Sequence, residues 1–70
     1  MTQEEYTQKR NYLLDVIKQQ AINAKNAYDE EQRQEYIDII RDLVLSTAKN
    51  ISFKLADELE ETARNIIYND

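Results

Sequence analysis

Carboxylates are the most abundant side chains in this sequence that could take part in chemistry, since 14 of its 70 residues are Asp or Glu. Some are adjacent in sequence, as in Glu30–Glu31 and Glu60–Glu61, and two carboxylates placed together can serve as general acid and general base. Neighbouring side chains on a helix point about 100° apart, so neither pair converges on one substrate atom. The pairs indicate a solvated face rather than a catalytic site.

The residues needed for most other catalytic and cofactor chemistry are missing. The sequence has no His and no Cys, which removes the commonest general base, the thiolate nucleophile and most ligand sets for transition metals. It has no Gly either, which excludes a P-loop, a dinucleotide-binding fingerprint and an EF-hand loop. We expect a protein that is not an enzyme, holds no cofactor or metal and has no small-molecule substrate.

Another set of acidic residues recurs at helical spacing and is here called the acidic column. Spacings of four, three and four residues place its members on one face of a helix, over about 16 Å. Each like-charge pair four residues apart costs about 0.2–0.5 kcal/mol. Three roles are open to the acidic column: it makes the surface soluble, it binds a basic partner, or it imitates a phosphate backbone. The net charge of −5 is modest for the last of these, a nucleic-acid mimic. Its members are Glu31, Glu35, Asp38 and Asp42, and Asp57 and Glu61 repeat the spacing later in the chain.

Several large apolar residues lie outside the apolar stripes that would form a core. Single exposed apolar residues are ordinary, but this many in 70 residues suggest a second buried surface. Self-association is the most economical explanation because a small chain has a small core, and docking of another protein through the same residues is the alternative. These candidate partner or dimer residues are Tyr12, Ile22, Ile39, Leu45 and Phe53.

Composition and periodicity predict an all-α fold for the elements that position these residues. Gly and Pro are both absent, while good helix formers are abundant. At about 100° per residue the apolar stripes of three successive segments point in different directions, so the chain must turn twice. We predict one domain, residues 1–70, folded as a three-helix up-down-up bundle with helices at about 3–27, 30–49 and 53–68. The first stripe runs from Tyr6 to Tyr28, and the most apolar segment is Tyr36–Ile51.

Capping residues predict where the helices begin and end. Thr2, Asp29 and Ser52 are the expected N-caps. Asn26 is expected to adopt the left-handed conformation at the end of the first helix, and Asn50 to be the C-cap of the second. Two alternatives remain: a kinked, continuous second and third helix, and a helical hairpin that completes its core only by dimerising.

Charge and hydropathy limit the partners and the compartment. A helix-turn-helix formed by Ser46–Ile67 would carry an acidic recognition helix, which disfavours direct nucleic-acid binding. No apolar run approaches the 18 or so residues of a membrane span, and the polar N-terminus does not resemble a signal peptide. A cytoplasmic protein without a membrane contact is expected.

The function that the sequence favours is that of a small acidic module for protein–protein interaction or regulation, which docks through a helix face and forms a homodimer. A second hypothesis is an acidic inhibitor of the kind found in phage and mobile elements, which mimics nucleic acid and blocks a DNA- or RNA-handling protein. A third is a structural subunit that needs its partner for stability. The sequence contains no motif that identifies the partner.

Overall fold

A computed structural model describes residues 1–69, which form the three helices α1 (Gln3–Lys25), α2 (Glu30–Asn50) and α3 (Phe53–Tyr68). Every pair of helices is in contact, and the short turns make successive helices antiparallel. The predicted three-helix bundle is therefore confirmed, with bounds that differ only at the ends of α1 and α2. The kinked-helix and helical-hairpin alternatives are wrong, because α3 is a separate helix packed on both others.

Each helix begins at the predicted N-cap. In each case an oxygen of the cap side chain accepts a hydrogen bond from the backbone amide three residues later, at 2.8–3.1 Å. This bond satisfies one of the amides that the first turn of a helix leaves without a partner. The accepting side chains are Thr2, Asp29 and Ser52, and the donating amides belong to Glu5, Gln32 and Leu55.

The turn between α1 and α2 differs from the prediction in two residues. Asn26 is not left-handed: its φ is −95°, and its amide donates to the carbonyl of Ile22 at 3.0 Å, as in a continuing helix. Tyr28 is not part of the core: it lies beyond the helix and is 96% exposed. Its amide instead donates to the side chain of Gln32 at 2.8 Å, so the turn is held by hydrogen bonds rather than by an apolar anchor.

The turn between α2 and α3 is the tighter of the two. Asn50 is the last helical residue, and the C-cap is Ile51 rather than the predicted Asn50. The amides of Ile51 and Ser52 both donate to the carbonyl of Thr47, at 2.9 and 3.0 Å. These two bonds close the end of α2, and no residue in the described part of the chain has a positive φ.

The core is shared unequally among the helices. Of the buried apolar residues within 1–69, four lie on α3, three on α1 and one, Ile40, on α2. The apolar segment Tyr36–Ile51 therefore contributes mainly half-buried residues, such as Leu43 and Val44, which pack against the central cluster. Part of the apolar surface of α2 therefore remains accessible for contact with another chain. The fully or nearly fully buried set is Ile17, Ala21, Ala24, Ile40, Leu55, Ala56, Leu59 and Ala63.

Candidate docking groove

An open groove runs along the outer side of the contact between α2 and α3. Five residues of α2 form one wall, and they recur at the spacing i, i+3, i+4, i+7 and i+8, which keeps them on one side of a helix. Their apolar side chains form the floor, and a guanidinium and an exposed leucine form the rim. These residues are Ile37, Ile40, Arg41, Val44 and Leu45.

The opposite wall is built by α3 with the same spacing. Ala63 is buried and Ile67 half-buried, so both continue the apolar floor, whereas the other three residues are exposed at the rim. The small side chain of Ala63 leaves space where a larger residue would fill the contact between the helices. The residues of this wall are Glu60, Ala63, Arg64, Ile67 and Tyr68.

The dimensions suit a row of side chains better than an enclosed molecule. The groove has a volume of about 400 Å³, near the lower end of the about 300–1,000 Å³ of small-molecule sites. Leu45 lies eight positions after Ile37, so the groove is about 12 Å long, or roughly two helical turns. Its rim residues are exposed on both sides, so that an occupant can enter from the side along its whole length.

Two of the arginines at or near the rim make contacts within the protein, one an ion pair and the other a cation–π contact. The guanidinium of Arg64 lies 2.8 Å from the carboxylate of Glu60 on the same helix. The guanidinium of Arg33, at the start of α2, lies over the ring of Tyr68 at 5.7 Å from its centroid, a distance typical of a cation–π contact. This second contact closes the end of the groove at which α2 begins and α3 ends.

The contact between α1 and α3 is closed by polar links that the groove lacks. Arg10 of α1 forms an ion pair with Glu58 of α3 at 2.6 Å, and the ammonium of Lys25 donates to the carbonyl of Asn69 at 2.7 Å. Within residues 1–69, no hydrogen bond or ion pair joins a side chain of α2 to one of α3. The apolar floor of the groove is therefore left accessible between its charged rims, apart from the end at which Arg33 contacts Tyr68.

The predicted apolar surface residues are all exposed, but they do not form one site. Leu45, 61% exposed, is the only one of them that lines the groove. Ile39, 42% exposed, lies on the opposite edge of α2. The remaining three lie elsewhere, Tyr12 and Ile22 on α1 and Phe53 at the start of α3.

The predicted acidic residues are also exposed, and they lie beside the groove rather than in it. The acidic column follows the outer face of α2, where Asp38 accepts a hydrogen bond from Gln34 at 3.0 Å. Asp57 and Glu61 line a polar hollow on α3 together with Glu60 and Arg64. None of the six predicted acidic residues lines the groove, and all remain available to a partner: Glu31, Glu35, Asp38, Asp42, Asp57 and Glu61.

Sequence reasoning missed the rim residues Arg41, Glu60, Arg64 and Tyr68. A signal was present for three of them, since Arg41, Glu60 and Arg64 each lie three, four or seven residues from an apolar position of their own helix, whereas Tyr68 does not. Helical periodicity alone does not specify how the helices are arranged in space. It therefore does not show which edge of α2 faces which edge of α3.

The described residues contain no group of three His, Cys, Asp or Glu side chains placed to hold a metal ion. Within the same range, no helix has the length and the apolar character needed to cross a membrane. No family model, no curated protein and no solved structure matches this chain. The function is therefore inferred from the groove and from the charges around it.

Proposed function

We propose that this protein is a non-enzymatic interaction module that docks a helix of another protein in the groove between α2 and α3. The supporting observation is the open apolar groove itself, whose two walls carry the same i, i+3, i+4, i+7, i+8 repeat. An amphipathic helix lying in an apolar groove is a general mode of protein recognition. The apolar floor supplies the favourable burial, and the charged rim supplies the specificity.

The bundle already contains an example of this kind of packing. On its inner side, the α2–α3 pair is covered by α1, which contacts both helices. A helix on the outer side would pack by the same interdigitation of side chains and convert three helices into four. The groove therefore fits a helix better than an extended strand, for which the described residues offer no sheet edge.

The size of the groove predicts a reversible complex. A helix about 10 Å wide lying along about 12 Å of groove buries much less than the roughly 800 Å² per partner of a standard interface. Interfaces at the low end of the size range are common among transient signalling contacts. We expect binding in the micromolar range, which suits a regulatory role.

Affinity capture with two matched variants tests the proposal. The wild-type protein, Leu45→Gln and Ile39→Gln are immobilised, and each is exposed to an extract of the source cells. Both substitutions replace an exposed apolar residue of α2 with a neutral helix former, but only Leu45 lines the groove. We expect one partner to be retained by the wild type and Ile39→Gln and lost from Leu45→Gln. Equal capture by all three proteins would show that the groove is not the docking site.

The nucleic-acid-mimic hypothesis has one observation in its favour. Every residue of the acidic column is exposed, and none forms an ion pair within residues 1–69. Four charges over about 16 Å are nonetheless sparser than one charge per about 3.4 Å along a DNA strand. Leu45→Gln distinguishes the two functions: the partner of a mimic stays bound to this variant, whereas a helix docked in the groove is lost. Charge reversal at Glu35, Asp38 and Asp42 should abolish binding to a mimic, but it would also weaken the binding of a docked basic helix.

A further inference from the structure

We infer that the helix docked in this groove is basic, with an apolar face for the floor and lysine or arginine residues on both flanks. This inference rests on the proposed function and adds the chemical class of the partner. It follows from the charges on the two sides of the groove and from the way a docked helix presents its flanks to them.

The surroundings of the groove are negative on both sides. On α3, Glu60 neutralises Arg64 at 2.8 Å, and Asp57 and Glu61 share the adjoining hollow without an ion pair among the described residues. On α2, the three basic residues, Arg33 at the end of the groove, Arg41 at its rim and Lys49 beyond Leu45, are outnumbered by the four carboxylates of the acidic column. The field over the open groove therefore favours a cation.

A helix seated in the groove would place its flanks against these carboxylates. Its residues at i, i+3 or i+4, and i+7 fill the apolar floor, and the residues beside them project over α2 on one side and α3 on the other. Long basic side chains pack their apolar stems along such a rim while the charged ends reach the carboxylates. Acidic flanks would meet like charges on both sides.

A second copy of the same α2–α3 surface is disfavoured as the occupant for this reason. Residues 28–50 hold three basic and six acidic side chains, and residues 51–70 hold two basic and five acidic. A symmetric dimer through the groove would place these two acidic segments against themselves, and juxtaposed like charges oppose association. A basic partner helix gains from the same carboxylates that a second copy would repel.

Three designed peptides of about 18 residues test the inference with the intact protein. The first has leucine on one face and lysine on the other, the second has glutamate in place of every lysine, and the third has serine in place of every leucine. Binding is measured by fluorescence anisotropy at about 0.15 M salt, where exposed charges more than about 8 Å apart are largely screened. We expect binding of the leucine–lysine peptide only.

Protein variants then place the bound peptide. Leu45→Gln removes an apolar rim contact without changing the charge, and we expect it to weaken binding about tenfold, whereas Ile39→Gln has no effect. Asp38→Lys should weaken binding about threefold or more, because it replaces an attraction beside the groove with a repulsion. Asp15→Lys makes the same change of net charge on α1, so we expect it to leave the affinity nearly unchanged.

The possible failures have different meanings. Equal binding of the leucine–lysine and leucine–glutamate peptides, both sensitive to Leu45→Gln, would overturn the basic-partner inference and leave the docking function intact. Binding of the serine–lysine peptide as strong as that of the leucine–lysine peptide would show attraction by charge alone and would also overturn it. Failure of every peptide, or binding insensitive to Leu45→Gln, would count against the groove itself and hence against the proposed function.

Discussion

Replacement of Leu59 by alanine should remove a large part of the stability of this protein. Leu59 is 0% exposed and lies in the central cluster with Ile17, Leu55 and Ala63. A buried leucine truncated to alanine costs about 2–5 kcal/mol, with the larger values where the neighbours cannot collapse into the space. A chain of 70 residues has a free energy of unfolding of about 3.5–10 kcal/mol at roughly 0.05–0.15 kcal/mol per residue. The substitution therefore removes between a fifth and all of that stability.

Urea denaturation followed by far-ultraviolet circular dichroism measures this loss. If the variant still folds, its transition midpoint falls while the dependence of the free energy on urea stays the same, because the surface exposed on unfolding hardly changes. Leu45→Ala is the matched control: it is the same chemical change at a residue that is 61% exposed. We expect this control to change stability by no more than about 0.5 kcal/mol.

One result would refute the description of the core, and another would refute that of the open groove. A loss below about 1 kcal/mol for Leu59→Ala would mean that the side chain is not packed on all sides. A comparable loss for Leu45→Ala would mean that the groove is already filled, for example by a second copy of the chain. Repeating the measurement over a range of protein concentrations separates these cases, since only the stability of an oligomer depends on concentration.

Three further predictions concern the turns, the polar links and the oligomeric state. Asp29→Ala removes the N-cap of α2 and should cost about 1 kcal/mol in urea denaturation, whereas unchanged stability would show that the cap is dispensable. Both side chains of the ion pair between Arg10 and Glu58 are more than a third exposed. A double-mutant cycle should therefore give a coupling energy of no more than about 0.5 kcal/mol, which decreases as salt is added, and a coupling energy well above 1 kcal/mol would contradict this. Light scattering should give the 8.3 kDa mass of one chain; twice that mass, reversed by Leu45→Glu or Ile22→Glu, would instead support the homodimer that the sequence favours.

Most of the fold was predictable because its determinants are local. Caps act within three residues, and apolar stripes repeat within a helix, so Asp29 and Ser52 could be recognised without knowledge of any distant contact. The two errors at the first turn arise where the local signal is ambiguous. Asn is only one of several ways to end a helix, and Tyr28 continues the periodicity of a helix that has already ended at Lys25.

The candidate site was predictable only in part because it belongs to two helices. Leu45 was identified as an exposed apolar residue, and the structure places it at the groove. Arg41 and Arg64 carry charges and lie at the edges of their apolar stripes, so periodicity did not single them out. They line one groove only because particular edges of α2 and α3 face each other, and no pattern within one helix contains that information.

The unequal distribution of the core has a consequence for folding kinetics. Since α3 supplies four of the eight buried apolar residues in the described chain, a hairpin of α1 and α2 alone lacks half of them and gains less from forming early than the complete bundle does. We expect the barrier to folding to be crossed only when α3 docks, because this step brings together α1 and α3, the two helices most distant in sequence. We expect single-exponential folding without a populated hairpin intermediate, and destabilising substitutions on α3 that slow folding more than those on the outer face of α2.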